Sequence, residues 1–381
     1  MDIIAQLTAA FEKERGSNRP PRTAADVPFT YEAITDEWLT CVLCAPHPGA
    51  RVISHRLDTA DDGNSNRRRI FIDYNAQGVE AGLPDRVFCK ASQGLANRIS
   101  LGVTGAIQAE VNFYNSIRPL LDIEAPVALF ARYNSALNSI IIMRELDSRT
   151  RFCTHTTEMT FERAQDQLRL MSRYHGKFLD SAELATTLSV FYAWPDWFSK
   201  LDYRDFEKAC DRGFEIGRSV IPGRLFARRS EIWTATRASF EKQKALPHTL
   251  CHGDDHLRNW YITADGEMGL NDWQAAHRGH WSRDVAYAIT TSLTVENRRK
   301  WETELLRYYF DHLQTAYGRS IPFDGVLDAY RQQLMTALAF WTITLNPAPG
   351  MPDMQPRDST LEFLRRIATA IDDLNTLDSF T

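Results

Sequence analysis

The sequence predicts an α+β fold in two lobes, a small β-rich lobe followed by a larger, mostly helical one. Between Arg51 and Met143, short segments alternate apolar and polar side chains, which is the period of β-strands. After Leu146, apolar residues recur at helical spacing. A chain of 381 residues is long enough to bury two cores. We therefore expect an N-terminal domain over residues 1–146 and a C-terminal domain over residues 147–381.

Composition and charge exclude several classes of function. Hydrophobic residues make up 44% of the chain and charged residues 24%, and the formal net charge is −5, which does not indicate nucleic-acid binding. No apolar run approaches the roughly 20 residues that cross a bilayer, and the N-terminus lacks the pattern of a signal peptide. The six cysteines are scattered, which is typical of reduced thiols in a cytoplasmic protein. We expect a cytoplasmic protein without a nucleic-acid or membrane partner, either a monomer or a homodimer.

The first lobe begins with an arm over residues 1–29, a helical start followed by a Pro-rich stretch. Thr35 is placed to cap a short helix, with two acidic residues in its first turn. Cys41 and Cys44 then fall on one helix face, which explains their spacing better than a metal site does. The remaining predicted elements are strands over 51–57, 69–74, 86–91, about 127–133 and 139–143, and a helix over 106–121.

The second lobe is predicted to be helical, with an aromatic connector over residues 193–198. Residues 346–352 contain three prolines and predict a stiff loop rather than a helix. Helices are expected over residues 161–179, 203–216, 224–244, 281–291, 295–316, 323–345 and 359–377.

The most informative stretch runs from Cys251 to Tyr287. It contains Asp254, Asn259 and Asp272, two carboxylates and a carboxamide. Oxygen ligands of this kind suit a hard divalent ion such as Mg²⁺. Catalysis of phosphoryl transfer consists mostly of positioning and charge neutralisation, so these residues favour a phosphoryl-transfer site over a chance polar loop.

Residues upstream fit the same chemistry. Lys90 ends the third predicted strand, and Glu110 lies near the start of the next helix, where a two-lobe kinase carries its phosphate-binding lysine and the acid that positions it. A turn at Gly63, Asn64 and Ser65 could offer backbone N–H groups to phosphates, although an ordinary hairpin explains it equally well. The base of a nucleotide would then lie against the connector at Arg144, Glu145 and Leu146.

The motif His252-Gly253-Asp254-x-x-x-x-Asn259, followed by Asp272-Trp273-Gln274, resembles the aminoglycoside phosphotransferase and choline kinase superfamily. The later Arg283-Asp284-Val285-Ala286-Tyr287 is most similar to its ecdysteroid-kinase-like branch. The resemblance implies a protein-kinase-like fold and phosphorylation of a small-molecule hydroxyl, with ATP, or GTP as the alternative, as the phosphate donor and Mg²⁺ as the metal.

Carried over by motif position, the resemblance implies a role for each residue. Asp254 would be the catalytic base, Asn259 and Asp272 would hold the metal, and Lys90 would bind phosphates while paired with Glu110. Independently of the family, an alcohol needs a carboxylate within hydrogen-bond reach to take its proton. We expect His252 and Asp284 to support the loop rather than to react.

Some alternatives stay open. The turn at residues 61–66 lacks the glycine spacing of protein kinases, and Lys90 also fits an ordinary strand end. Asp255 is interpreted as a solvated neighbour of Asp254 or a loop cap, in preference to a residue that recognises substrate charge. A nucleotide-binding pseudokinase that serves as a scaffold is the alternative function, and the complete residue set argues against it. The aromatic second lobe favours a less polar alcohol, such as a steroid or terpenoid, over an aminoglycoside as acceptor.

Overall fold

The computed structural model describes residues 3–17, 19–201, 205–347 and 354–380, without the side chains of residues 198–201. The chain forms two compact units. The first comprises residues 1–120 and 126–147, and the second comprises residues 121–125 and 148–381.

The first unit is built on a six-stranded antiparallel sheet in the order β1-β3-β4-β6-β5, with β2 paired to β3. Alternate residues of the central strands, such as Ile70 and Ile72, are buried, as the sequence period requires. They pack with Trp38 and Leu39 in one hydrophobic core. The strands of this unit are β1 (Val52–Leu57), β2 (Asp61–Asp62), β3 (Asn66–Tyr74), β4 (Arg86–Ala91), β5 (Ala128–Tyr133) and β6 (Ser139–Arg144).

Five α-helices in the described part of this unit accompany the sheet, and the sequence predicted three of them. Thr35 caps its helix as expected, because its hydroxyl accepts a hydrogen bond from the amide of Trp38 at 3.1 Å. The predicted helix over 106–121 is α-helical only at its start and continues as a π-helical turn over Phe113–Ile117 before Pro119. The helices are α1 (Ile3–Ser17), α2 (Asp36–Leu43), α3 (Ala76–Glu80), α4 (Leu95–Val103) and α5 (Ala106–Asn112).

The N-terminal arm is held by a buried cation. Arg98 of α4 is fully buried and forms an ion pair with Glu14 of α1. Its guanidinium lies 4.9 Å from the ring centroid of Phe11 and 5.3 Å from that of Phe29. A buried arginine needs this combination of charge and stacking, so α1 and the segment after it are part of the first unit.

The second unit contains a three-stranded sheet in the order β10-β9-β7 and a two-stranded sheet of β8 and β11. These strands are β7 (Arg151–Phe152), β8 (Thr249–Cys251), β9 (Trp260–Ile262), β10 (Met268–Leu270) and β11 (His277–Gly279). Its helices are α6 (Phe161–Phe178), α7 (Trp194–Leu201), α8 (Phe206–Ile216), α9 (Gly223–Ala227), α10 (Arg229–Gln243), α11 (Ser282–Ser292), α12 (Val295–Tyr317), α13 (Val326–Leu345) and α14 (Arg357–Asp373).

The helices predicted for this unit are largely confirmed, but one of them is divided in two. The helix expected over 224–244 is two helices, because the backbone at Arg228 leaves helical geometry between α9 and α10. Trp194 of the aromatic connector is buried and stacked on Trp197 and Phe240. The side chain of Phe198 and most of the predicted loop over 346–352 lie outside the described residues. None of the described helices combines the length and apolar character needed to cross a membrane.

Candidate active site

The loop that carries Asp254 and Asn259 connects β8 to β9. Gly253 gives it a sharp turn, with a φ of +81°. A Cβ at this position would lie 2.6 Å from the carbonyl oxygen of Ala275, so both the conformation and the space require glycine. The loop ends in a short 3₁₀ turn over Leu257–Asn259.

Asp284 anchors the start of this loop from the first turn of α11. Its carboxylate accepts hydrogen bonds from the amide of His252 at 2.6 Å and from the amide of Gly253 at 3.0 Å. The side chain is fully buried. Burial alone would raise its pKa, but the hydrogen bond from His175 and the neighbouring histidines hold the pKa well below the usual range. An ionised carboxylate therefore fixes two backbone donors directly before Asp254.

Three residues that the sequence did not connect with the site complete this anchor. The Tyr174 hydroxyl donates to Asp284 at 3.1 Å, and His175 Nε2 lies 3.2 Å from the same oxygen. His175 Nδ1 lies 2.8 Å from the Tyr309 hydroxyl. His175 is fully buried, and both of its ring nitrogens have hydrogen-bond partners. Its link to Asp284 spans more than a hundred residues, so no local sequence pattern could have indicated it.

His252 lies between two parts of the site. Its Nδ1 accepts from the amide of Asp254 at 3.2 Å, so the proton belongs on Nε2, which lies 2.9 Å from the carbonyl oxygen of Asn271. The ring also packs edge-on against Trp273 at 4.7 Å. His252 thus connects the loop of Asp254 to the segment that holds Asp272.

Asp254 lies among polar groups and keeps 33% of its side chain exposed. Desolvation and the charge of Asp272 raise its pKa to about 7, although Arg283, Asn259 and Tyr287 act in the opposite direction. The Tyr287 hydroxyl is 3.5 Å from Asp254 Oδ1. A carboxylate with a pKa near neutrality is suited to accept a proton.

Asn259 and Asp272 offer oxygen atoms beside Asp254. The amide nitrogen of Asn259 donates to the carbonyl oxygen of Asp254 at 2.6 Å, which leaves the amide oxygen of Asn259 for another ligand. The backbone and side chain of Asn271 both donate to the Asn259 carbonyl oxygen, at 3.0 and 2.7 Å, so the two segments run side by side. Asp272 has a φ of +63°, a conformation uncommon for a residue with a side chain. A carboxylate and an amide oxygen form a donor set that fits Mg²⁺.

The interpretation of Asp255 as a solvated neighbour is wrong. Its side chain is fully buried, because the loop turns it inward while its carbonyl oxygen accepts from the indole of Trp260 at 2.9 Å. Burial and the charge of Asp284 raise the pKa of Asp255 well above its usual range. Arg283, which the sequence analysis did not assign, is also buried and stacks on Tyr287 at 4.2 Å.

In the first unit, the structure brings Lys90 and Glu110 together. Lys90 Nζ lies 2.9 Å from Glu110 Oε1, and both side chains are mostly buried. Lys90 is the next-to-last residue of β4, and Glu110 lies on α5. An ion pair between groups this buried fixes the direction of the lysine side chain, since neither charge is well solvated by water.

The turn at Gly63, Asn64 and Ser65 joins β2 to β3. The side-chain amide of Asn97 on α4 donates to the carbonyl oxygens of Gly63 and Asn64, each at 2.9 Å. Ser65 is buried. The turn is therefore fixed from a helix that the sequence analysis did not predict.

The connector residues differ in what their side chains contact. Arg144 ends β6, and its amide donates to the carbonyl oxygen of Val127 at 2.9 Å. The Glu145 carboxylate pairs with Arg69 and with Arg86, the latter at 3.0 Å. Since two arginines of the sheet engage that carboxylate, the side chain of Glu145 is committed to structure, and Leu146 follows it half-buried.

Comparison with known proteins supports the superfamily resemblance for part of the chain. A family model described as a phosphotransferase enzyme family (APH) matches residues 152–321, which include Asp254, Asn259, Asp272 and Asp284. No protein with a curated description matches the sequence.

Solved structures show where the fold is shared. A candidate aminoglycoside phosphotransferase from Ralstonia eutropha JMP134 aligns with a TM-score of 0.53 at 12% identity, over 88% of this chain and 96% of that one. Choline kinase LicA from Streptococcus pneumoniae aligns with a TM-score of 0.47 at 12% identity, over 84% and 94%. Spectinomycin phosphotransferase APH(9)-Ia, solved with ADP and spectinomycin, aligns with a TM-score of 0.45 at 15% identity, over 88% and 97%. The TM-score of the Ralstonia eutropha structure, together with the small antiparallel sheet of the first unit and the largely helical second unit, confirms the predicted α+β, kinase-like fold.

Proposed function

We propose that this chain is an ATP- and Mg²⁺-dependent kinase that phosphorylates a hydroxyl group of a small molecule. The observation that carries the proposal is Asp254, a partly exposed carboxyl with a pKa of about 7 on a loop whose preceding amides Asp284 fixes. The match of residues 152–321 to a phosphotransferase family supports it.

Asp254 is assigned to the acceptor. Its ionised carboxylate orients the acceptor hydroxyl and takes the proton as the hydroxyl oxygen bonds to the γ-phosphorus. The bond between that phosphorus and the bridging oxygen breaks, and its electron pair leaves with ADP. Asn259 donates to the backbone of Asp254 and so keeps the loop in place while its own amide oxygen stays available.

The other residues are assigned to the nucleotide. Lys90, directed by Glu110, binds phosphate oxygens, and the turn at Gly63, Asn64 and Ser65 covers them with the N–H groups of Asn64 and Ser65, since the Gly63 N–H donates to the Ser65 carbonyl oxygen at 3.0 Å. Asn259 and Asp272 hold Mg²⁺, which supplies positive charge that offsets the phosphates. The connector at Arg144, Glu145 and Leu146 takes the base through its backbone, since the Glu145 carboxylate pairs with two arginines.

For the acceptor we propose a less polar alcohol. Tyr287 touches Asp254, and its ring lies 6.3 Å from that of Trp341 in a stacked arrangement. Both rings are almost fully buried, so the preference for an acceptor with an apolar body is carried by the resemblance to the ecdysteroid-kinase-like branch. A panel of sterols, terpenoid alcohols, sugars, choline and aminoglycosides, assayed for ATP consumption, identifies the class.

The direct test is Asp254→Ala with Asp265→Asn as control, since Asp265 lies exposed in the β9–β10 hairpin. Asp254→Ala should lower kcat by about 10²–10⁴-fold, because that is the usual contribution of a positioned base. Binding of ATP with Mg²⁺, followed by thermal shift, should survive in Asp254→Ala and weaken in Asp272→Ala. The control should behave as the wild type in both assays.

Two outcomes would count against the proposal. Wild-type turnover in Asp254→Ala would refute the role of this residue. If ATP and Mg²⁺ stabilised the protein but neither turnover of any acceptor nor slow ATP hydrolysis could be detected, the pseudokinase alternative would be favoured.

A further inference from the structure

Arg283, in the first turn of α11, is a buried cation to which the proposed reaction assigns no role. Its side chain is only 1% exposed. Taking a guanidinium out of water costs free energy, and an ion pair with a buried acid is the usual compensation. The contacts of Arg283 therefore indicate what the protein gains from burying it.

An ion pair does not explain the burial of Arg283. Its Nε and Nη1 atoms have no hydrogen-bond partner among the residues that the structure describes, and neither have the two carboxylate oxygens of Asp255. The carboxylate of Asp284 is engaged instead by the amides of His252 and Gly253. Within the described part of the chain, Arg283 thus forms no ion pair with either of these buried acids.

The hydrogen bond that the Arg283 side chain does form fixes the peptide directly before Asp254. Its Nη2 donates to the carbonyl oxygen of Gly253 at 3.1 Å. Asp284, the next residue of α11, accepts from the amide of the same glycine at 3.0 Å. Two adjacent residues of one helix thus hold Gly253 by its N–H and by its carbonyl group, and that carbonyl belongs to the peptide unit that carries the Asp254 nitrogen.

The guanidinium also lies against the ring whose hydroxyl contacts Asp254. Its Cζ atom is 4.2 Å from the ring centroid of Tyr287, which lies four residues further along α11 and so on the same face of the helix. The Tyr287 hydroxyl is 3.5 Å from Asp254 Oδ1. Arg283 therefore supports Asp254 at two points, through the preceding peptide and through a ring at the carboxylate.

Further aromatic rings hold the guanidinium itself in place. The ring centroids of Trp194 and Phe340 lie 5.0 and 5.6 Å from its Cζ atom. Trp194 also stacks on His277 at 4.5 Å, and the His277 ring packs closely against Gly253. Stacking of this kind suits a planar guanidinium better than an ammonium group on a flexible stem. The packing therefore favours arginine over lysine at position 283.

We propose that Arg283 is a positioning residue for the reaction, which acts through Gly253 and Tyr287 to hold Asp254 in place against the acceptor hydroxyl. A displacement of about 1 Å at a reacting group can cost about 10²-fold in rate, so the expected effect of Arg283 is on kcat. The proposal rests on the proposed function, because that function assigns Asp254 as the base. The hold on the loop can nevertheless be measured without an acceptor.

Arg283→Met is the principal variant, since methionine keeps an unbranched side chain and removes the guanidinium. With an acceptor identified by the panel, kcat should be about 10²-fold lower, while the KM for ATP stays within about twofold of the wild type. Arg283→Lys keeps a cation that can donate to Gly253 but cannot stack flat on Tyr287, so it should recover about tenfold of that loss. The thermal midpoint of Arg283→Met should fall by no more than about 4 °C, because removal of a desolvated charge offsets the lost hydrogen bond.

Hydrogen–deuterium exchange of the loop peptide over residues 251–262 tests the same contact without acceptor or nucleotide. Exchange there should be about fivefold faster in Arg283→Met, as the loss of one hydrogen bond implies, and intermediate in Arg283→Lys. The matched control is Arg278→Met, because Arg278 is a half-buried arginine of the same unit that donates to other carbonyl oxygens, those of Phe191 and Leu184, at 2.9 and 3.2 Å. This control should leave kcat and the exchange of the loop unchanged.

The two measurements separate this proposal from the proposed function. If the wild type turned over no acceptor, the proposed function would fail, whereas faster loop exchange in Arg283→Met would still support Arg283 as the residue that holds the loop. Wild-type exchange of the loop in Arg283→Met would overturn the proposal, and so would wild-type kcat. An equal loss of kcat in Arg278→Met would overturn it as well, because the effect would not be specific to the contact with Gly253. Should Arg283→Met fail to fold, Arg283→Lys decides: lower kcat with faster loop exchange supports the proposal, and wild-type behaviour overturns it.

Discussion

The pKa of Asp254 makes a prediction about stability that needs no knowledge of the acceptor. The folded protein holds a proton on this carboxyl up to a pH of about 7, whereas the unfolded chain releases it near 3.8. Between these values folding takes up a proton, so the contribution of Asp254 to stability falls as the pH rises. Asn resembles the protonated carboxyl and does not titrate. Asp254→Asn should therefore gain stability relative to the wild type as the pH is raised from 5 to 8.

The magnitude of this stability change follows from the difference between the pKa of Asp254 in the folded and unfolded protein. A difference of about 3 pKa units corresponds to an upper limit of about 4 kcal/mol at about 1.36 kcal/mol per unit. The side chain is 33% exposed, so solvent screens part of this interaction. We expect the stability difference between Asp254→Asn and the wild type to change by about 1–2 kcal/mol across this range.

Urea denaturation of both proteins at pH 5 and pH 8 measures this change. Each comparison is made between variant and wild type at one pH, so the titration of other groups cancels. The exposed variant Asp265→Asn should show no such change. An equal stability difference at the two pH values would refute the raised pKa, and with it the argument that Asp272 and desolvation prepare Asp254 as a base.

Two further substitutions, at Asp284 and Gly253, test the support of the loop, and a third tests His280, a buried residue between β11 and α11. Asp284→Ala should lower the free energy of unfolding by about 3–5 kcal/mol in urea denaturation, because buried donors including the His252 amide lose their acceptor; a loss below about 1 kcal/mol would contradict the anchor. Burial lowers the pKa of His280 to about 3, so below pH 6.5 this histidine binds a proton in the unfolded chain but not in the folded protein, and the wild type loses stability. Between pH 7.5 and 5.5, His280→Gln should lose about 1.4 kcal/mol less of its free energy of unfolding than the wild type does. If both proteins lost the same amount, a buried neutral ring at His280 would be excluded. Gly253→Ala should cost about 2–4 kcal/mol by thermal or urea unfolding, since its Cβ would clash with Ala275, and a neutral effect would mean that the turn relaxes.

Much of the fold was predictable because its signals are local. The strand predicted over 86–91 has the same bounds as β4, and the position of Thr35 before two acids identifies it as a cap. The short helix α4 was missed because it lies between Gly94 and Thr104-Gly105, where breakers obscured its periodicity. The split at Arg228 was missed for the opposite reason, since residues on both sides of it favour a helix.

The sequence by itself determined which chemical groups the chain carries and on which elements they lie: a lysine at the end of β4, an acid on α5, and carboxylates with a carboxamide on the segments around β9 and β10. Those assignments depend on side-chain periodicity and motif spacing, which neighbouring residues encode. Only the tertiary structure decided the electrostatic state of these groups. Asp255 is buried, Asp254 has a pKa near 7, and Asp284 stays ionised although it is just as deeply buried. Desolvation, and partners as distant in sequence as His175, set these states, and neither leaves a mark in the local pattern.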